Sequence, residues 1–144
     1  MTTRVLSFGD LTPREVHDVA RLRQEVFVVE QNCPYPDLDG RDTEAGTAHV
    51  LLHDGGDALI GYARVLDDTE VWRIGRVVLA RAARGRGLAD DLMRAALEHC
   101  TTADRDRDVV LDAQSPLTSW YAGLGFVVDG EEFLDDGIPH TPMR

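Results

Sequence analysis

A chain of 144 residues is long enough for one domain with a real core, here taken as residues 1–144. With 15 arginines, no lysine and a net charge of −11, it lacks the basic face of a nucleic-acid binder and any lysine for a Walker A loop, a Schiff base or pyridoxal phosphate. No apolar run nears the ~18 residues of a membrane span and no signal-peptide core opens the chain, so no membrane partner is expected and the expected location is cytoplasmic.

The residues from Thr3 to Phe8 read as a short strand. Thr12, Pro13 and Glu15 then form a capping box with proline in the first turn. Val16, Val19, Leu22, Val26 and Phe27 continue a helical stripe that should end near Gln31, before Pro34. Residues 32–46 form a loop rich in Pro, Asp and Gly, long for a domain of this size. A hairpin is expected over 47–66, turning at Gly55-Gly56, and a further strand over 71–80. A helix starts at Leu88, and 108–113 has the composition of a buried strand. Ser115 should cap a short helix with Pro116 in its first position, ending at Gly123 or Gly125. Phe126–Val128 and the segment around His140 supply two more short strands. The fold class is α/β (α+β), with about seven strands and three or four helices.

Cys33 and Cys100 are too few and too far apart for a disulfide framework or a zinc pattern. His49 and His53 stand four apart in an expected strand, ~13 Å along it, too far to share one ion. No metal site is expected.

The junction from Ala80 to Met93 carries the clearest chemical signal. A strand, a glycine turn and a helix start leave backbone N–H groups unpaired at the positive end of the helix dipole, which suits a phosphate. Gly85 and Gly87 permit close approach, and Arg84 and Arg86 add positive charge. Asp90 and Asp91 would oppose an anion unless they face away. Asp90 also stands where a dinucleotide fingerprint requires glycine, so a Rossmann site is disfavoured.

What remains, Arg84-x-x-Gly87-x-Ala89, resembles the coenzyme A pyrophosphate loop of the GNAT superfamily of N-acetyltransferases. The segment from Ser119 to Phe126, with Tyr121 before Gly125-Phe126, is similar to a second motif of that superfamily and falls in the right order. The segments 21–42, Tyr62–Leu66, Ile74–Leu79, Asp112–Gln114 and Asp136–His140 resemble its ElaA-like branch. The resemblance implies a GNAT-like fold, with a central mixed, largely antiparallel sheet. It also implies direct acetyl transfer from acetyl-CoA, as acyl-donor cosubstrate, to a primary amine of a small molecule or peptide.

Carried over by motif, Val77, Val78 and Leu79 would offer backbone to pantetheine, and Arg84, Gly85, Arg86, Gly87, Leu88 and Ala89 would hold the pyrophosphate. The amide of Leu79 would receive the thioester oxyanion. Tyr121 would protonate the leaving thiolate, since a phenol of pKa ~10 can donate to it. Glu30 and Asp112 are equal candidates for the general base, with His49 and His140 behind them. Phe27, Glu30, Asp37, Asp39, Arg76 and His140 would face the acceptor, although acids in a loop also cap turns and Arg76 could pair with them. Nothing marks Cys33 as a nucleophile. An exposed edge strand could support a homodimer. The sequence also admits two other readings. One is a catalytically silent acetyl-CoA-binding regulator. The other is an acyl-homoserine-lactone-synthase-like enzyme, to which Arg23 to Phe27 and the acidic loop are also similar.

Overall fold

A computed structural model describes residues 1–144. Seven strands form one sheet: β1 (Thr2–Ser7), β2 (Ala48–His53), β3 (Leu59–Asp67), β4 (Val71–Leu79), β5 (Asp108–Gln114), β6 (Phe133–Asp135) and β7 (Ile138–Met143). Their order is β1-β2-β3-β4-β5-β7-β6, antiparallel throughout except where β4 runs parallel to β5.

Helix α1 (Pro13–Arg23) starts on the expected capping box: Glu15 N–H donates to Thr12 Oγ1, and Glu15 accepts from the Thr12 N–H. Such a cap stabilises the helix by about 1 kcal/mol. The helix does not run on as α to Gln31. From Gln24 to Glu30 it widens into a π-helix. Its buried residues Val19, Leu22 and Val26 pack on Leu51, Tyr62 and Val78, covering one face of the sheet.

Helix α2 (Leu88–Asp104) covers the other face through Leu88, Leu92, Met93, Ala96 and Cys100. Gly61 on β3 allows this approach. A Cβ there would lie 2.9 Å from Leu79 Cδ2 and 3.1 Å from Leu92 Cδ1, closer than packing tolerates.

Two expectations near the C-terminal end are corrected. Ser115 caps no α-helix: residues Ser115–Leu117 make a 3-10 turn, and α3 (Thr118–Gly123) follows without a side-chain cap. Phe126–Val128 is not a strand either. Val127 exchanges two hydrogen bonds with Arg144 past the end of β7, and Val128 makes only an isolated bridge to Met143. The strand not expected from the sequence is β6, Phe133–Asp135, joined to β7 by a turn in which Asp136 and Gly137 both have positive φ. No helix is long and apolar enough to cross a membrane.

Candidate active site

Strand β4 pairs with β5 only at Val71–Arg73. Beyond Arg73 the two separate, and β5 pairs with β7 on its other side. A cleft of ≈ 220 Å³ opens in the gap, lined among others by Gly75, Arg76, Val77, Asp112, Tyr121 and His140.

The register of β3 with β4 shows which backbone groups face the gap. Gly61 pairs with Leu79 and Tyr62 with Val78, and Ala80 N–H donates to Ile60 O at 2.8 Å. Hydrogen-bonded and non-bonded pairs alternate along an antiparallel ladder. Val78 is therefore turned to β3, while the backbone groups of Val77 and Leu79 point into the gap. This removes Val78 from the expected backbone contacts; its side chain is buried beneath α1. Between Tyr62 and Arg64 the register slips, and Arg76 has φ +53, so β4 carries a bulge at the mouth of the cleft.

After β4 the chain makes a 3-10 turn, Arg81–Ala83, and enters α2 through Gly85 (φ +76) and Gly87 (φ +73). Gly87 caps α2 with no side-chain hydrogen bond, so the first amides of the helix stay open. Neither acid of the first turn is directed at them: Asp90 accepts from Trp120 Nε1 at 2.8 Å, and Asp91 pairs with Arg94. Arg84 is otherwise engaged. Its guanidinium donates to both oxygens of Glu30, at 2.7 and 3.0 Å, and to the carbonyl of Leu79.

Glu30 is accordingly absent from the cleft wall, and the Arg84 hydrogen bonds hold its carboxyl below the usual range. Asp112 is exposed in the cleft, 3.5 Å from Arg73. Tyr121 is buried against Trp120 and Phe126, and burial pushes its hydroxyl up to about 12. Its hydroxyl has no protein partner. His140 Nδ1 donates to Ile138 O at 2.7 Å, which leaves Nε2 as the lone-pair nitrogen of the neutral ring. His49 is not placed for this role. It is buried, Nε2 donates to Asp42 O, and Nδ1 accepts from the Tyr62 hydroxyl.

The acidic loop is spent on internal pairing. Asp37 meets Arg23 and Arg76, Asp39 meets Arg76 and Arg64, and Asp42 meets Arg64 and Arg23. The six residues close a ring. Arg23 and Arg64 are almost fully buried, at 1% and 3%. Burial works against the charge on Asp39, but hydrogen bonds from Arg64 and the Arg41 N–H outweigh it and hold the carboxyl well below its ordinary value. Phe27 packs in the cluster beneath α1 rather than in the cleft. Sequence reading did not single out Gln31, Arg73, Gln114 and Asp135, all of which line the cleft. Asp135 had a signal: Asp136-Gly137 is a turn dipeptide that favours positive φ at both positions and marks a hairpin.

The model of the acetyltransferase (GNAT) domain matches residues 12–144. The chain belongs to that family. A UPF0039 protein of Mycobacterium tuberculosis is 46% identical over 138 residues, covering 93% of this chain and 86% of the relative. The crystal structure of Escherichia coli ElaA superposes with a TM-score of 0.94 at 38% identity, covering 99% and 98%. An acyl-CoA N-acyltransferase from Pseudomonas aeruginosa gives 0.93 at 40% identity, with the same coverage. Within the family the chain lies on the ElaA-like branch.

Proposed function

We propose that the protein transfers the acetyl group of acetyl-CoA directly to a primary amine of a small molecule or peptide. The observation that carries this reading is the edge of β4 that β5 leaves unpaired at Val77 and Leu79, where only the Leu79 carbonyl is taken, by Arg84; it leads into the open amides of α2 on one side and faces the cleft with Tyr121 on the other. The amides of residues 85–89 suit the diphosphate, with Arg86 beside them and Arg84 available once it leaves Glu30. The β4 edge suits the pantetheine arm.

Val77 lines the cleft and Leu79 does not, so the Val77 amide becomes the oxyanion donor in this scheme. Asp112 and Asp135, both exposed in the cleft, orient the incoming ammonium. Nε2 of His140 takes its proton, and Asp112 offers a second route. The nitrogen attacks the thioester carbonyl; as the tetrahedral intermediate collapses the C–S bond breaks, the nitrogen gives its second proton to solvent, and the Tyr121 hydroxyl protonates the departing sulfur and is reprotonated from solvent. Because burial raises its pKa to about 12, Tyr121 keeps that proton throughout the neutral range.

The test is acetyl-CoA-dependent release of free thiol over a panel of amines and peptides. Turnover with at least one amine is the expected result. Coenzyme A binding without turnover on any acceptor would favour the regulatory reading instead, and absence of binding would end both.

A further inference from the structure

Residue 76 is the one position in β4 with a left-handed backbone, a conformation that glycine adopts freely and arginine does not. Glycine stands next to it, at Gly75, yet Gly75 does not carry the positive φ. Contacts around residue 76 have to offset the strain of that backbone. Arg76 Nε lies 2.9 Å from Asp37 Oδ1, though not aligned for a hydrogen bond. Nη2 donates to Asp37 O at 3.2 Å and approaches Asp39 Oδ2 at 3.4 Å. The guanidinium also stacks 5.4 Å from the Tyr35 ring, whose hydroxyl donates to Asp37.

These partners are themselves fixed. Arg23 Nε donates to Asp37 at 2.9 Å, and Arg64 grips Asp39 with two nitrogens, at 2.8 and 2.9 Å. Arg23 comes from α1 and Arg64 from β3. The bulge lies three residues beyond Arg73, the last residue of β4 paired with β5, and one residue before Val77, whose backbone faces the gap.

We infer that Arg76 is a positioning residue. The ring of three arginines and three aspartates pulls its side chain toward the 32–46 loop, holds the backbone left-handed, and so keeps β4 bent away from β5. The ring's task is the width of the donor cleft and the aim of the Val77 amide, rather than contact with the acceptor. The inference rests on the proposed donor site at β4.

The experiment compares Arg76→Gly with Arg76→Ala. Both remove the guanidinium; only glycine recovers the left-handed backbone without strain. Coenzyme A affinity is read by calorimetry, the KM of donor and amine by thiol release, and amide hydrogen exchange at 74–79 by mass spectrometry. The expected result is that Arg76→Ala weakens donor binding by about tenfold more than Arg76→Gly and raises exchange at 74–79, with the amine KM little moved. Asp39→Asn, which cuts the ring at its more exposed carboxylate, should loosen exchange at the same residues even if the Arg76 variants do not fold. Equal losses in the glycine and alanine variants, or a rise confined to the amine KM, would overturn the inference. If the wild-type protein binds no coenzyme A, the donor site fails. The exchange ranking of the variants then decides the positioning role alone.

Discussion

Residues 80–87 and residues 32–46 both meet strand β4, and both are dense in charge and glycine, yet they work by different means. In the first, two left-handed glycines lead into a helix start that no side chain caps. In the second, Asp37, Asp39 and Asp42 turn inward on Arg23, Arg64 and Arg76. On the proposed reading, one loop keeps its polar valence for the donor, and the other uses it to fix the strand on which that donor would lie. A run of acids on a loop is therefore no guide to what a protein attracts until the buried cations beneath it are placed.

Four changes would break or sharpen this contrast. The largest effect is expected from Arg23→Ala. It strands Asp37 and Asp42 without their buried partner and should cost about 3–5 kcal/mol in chemical unfolding. A loss under 1 kcal/mol, typical of an exposed pair, would show that the ring is not a structural unit.

Next, Gly87→Glu forces a side chain into φ +73 and sets a negative charge at the helix start. Coenzyme A affinity should fall by about 100-fold or more in calorimetry, since both the strain and the like charge oppose binding. Unchanged affinity would remove the anion site from this loop. Tyr121→Phe should retain that affinity while lowering turnover by about 100-fold, the lower range for loss of a proton carrier. Equal turnover in steady-state assays would take the acid role from Tyr121.

The smallest effect belongs to Glu30→Gln, which should release Arg84 and raise coenzyme A affinity about threefold, within the range of an exposed ion pair. Weaker binding would mean that Glu30 presents Arg84 to the anion rather than competing for it.

Acid should separate the two regions as well. Burial holds the pKa of His49 below its ordinary 6.5, and half-buried His99 shifts the same way. The unfolded chain then binds protons that the folded chain refuses, so stability falls as pH drops below about 6.5. Thermal melts from pH 7 to 5 should show this loss, reduced in His49→Gln at the floor of the acidic loop. Asp39 and Asp42, held below their usual range, should begin to act only nearer pH 4.

The elements with strong local signals were legible in the sequence. Thr12 and Glu15 cap α1, the 47–66 segment is a hairpin, and α2 begins at Leu88. The glycine turn between β4 and α2 was legible for the same reason, because glycine placement and a helix start are local features. The ring was not. Arg23, Asp37 and Arg76 are 14 and 39 positions apart, and no periodicity links a guanidinium to a carboxylate across such distances. The π-widening at Gln24–Glu30 was also hidden, since the apolar stripe through Val26 fits either winding. The last strands were misplaced because Val127 and Val128 have strand composition but are 68% and 57% exposed at the sheet's end, whereas β6 is three residues long.

A circuit of three guanidinium and three carboxylate groups carries no net charge, so its field falls off with distance much faster than that of the same acids left unpaired. The protein's formal charge of −11 therefore resides outside the feature that looked, residue by residue, most like bait for a cation. Any long-range attraction of a cation is then a property of the entire surface, and added salt should erode it.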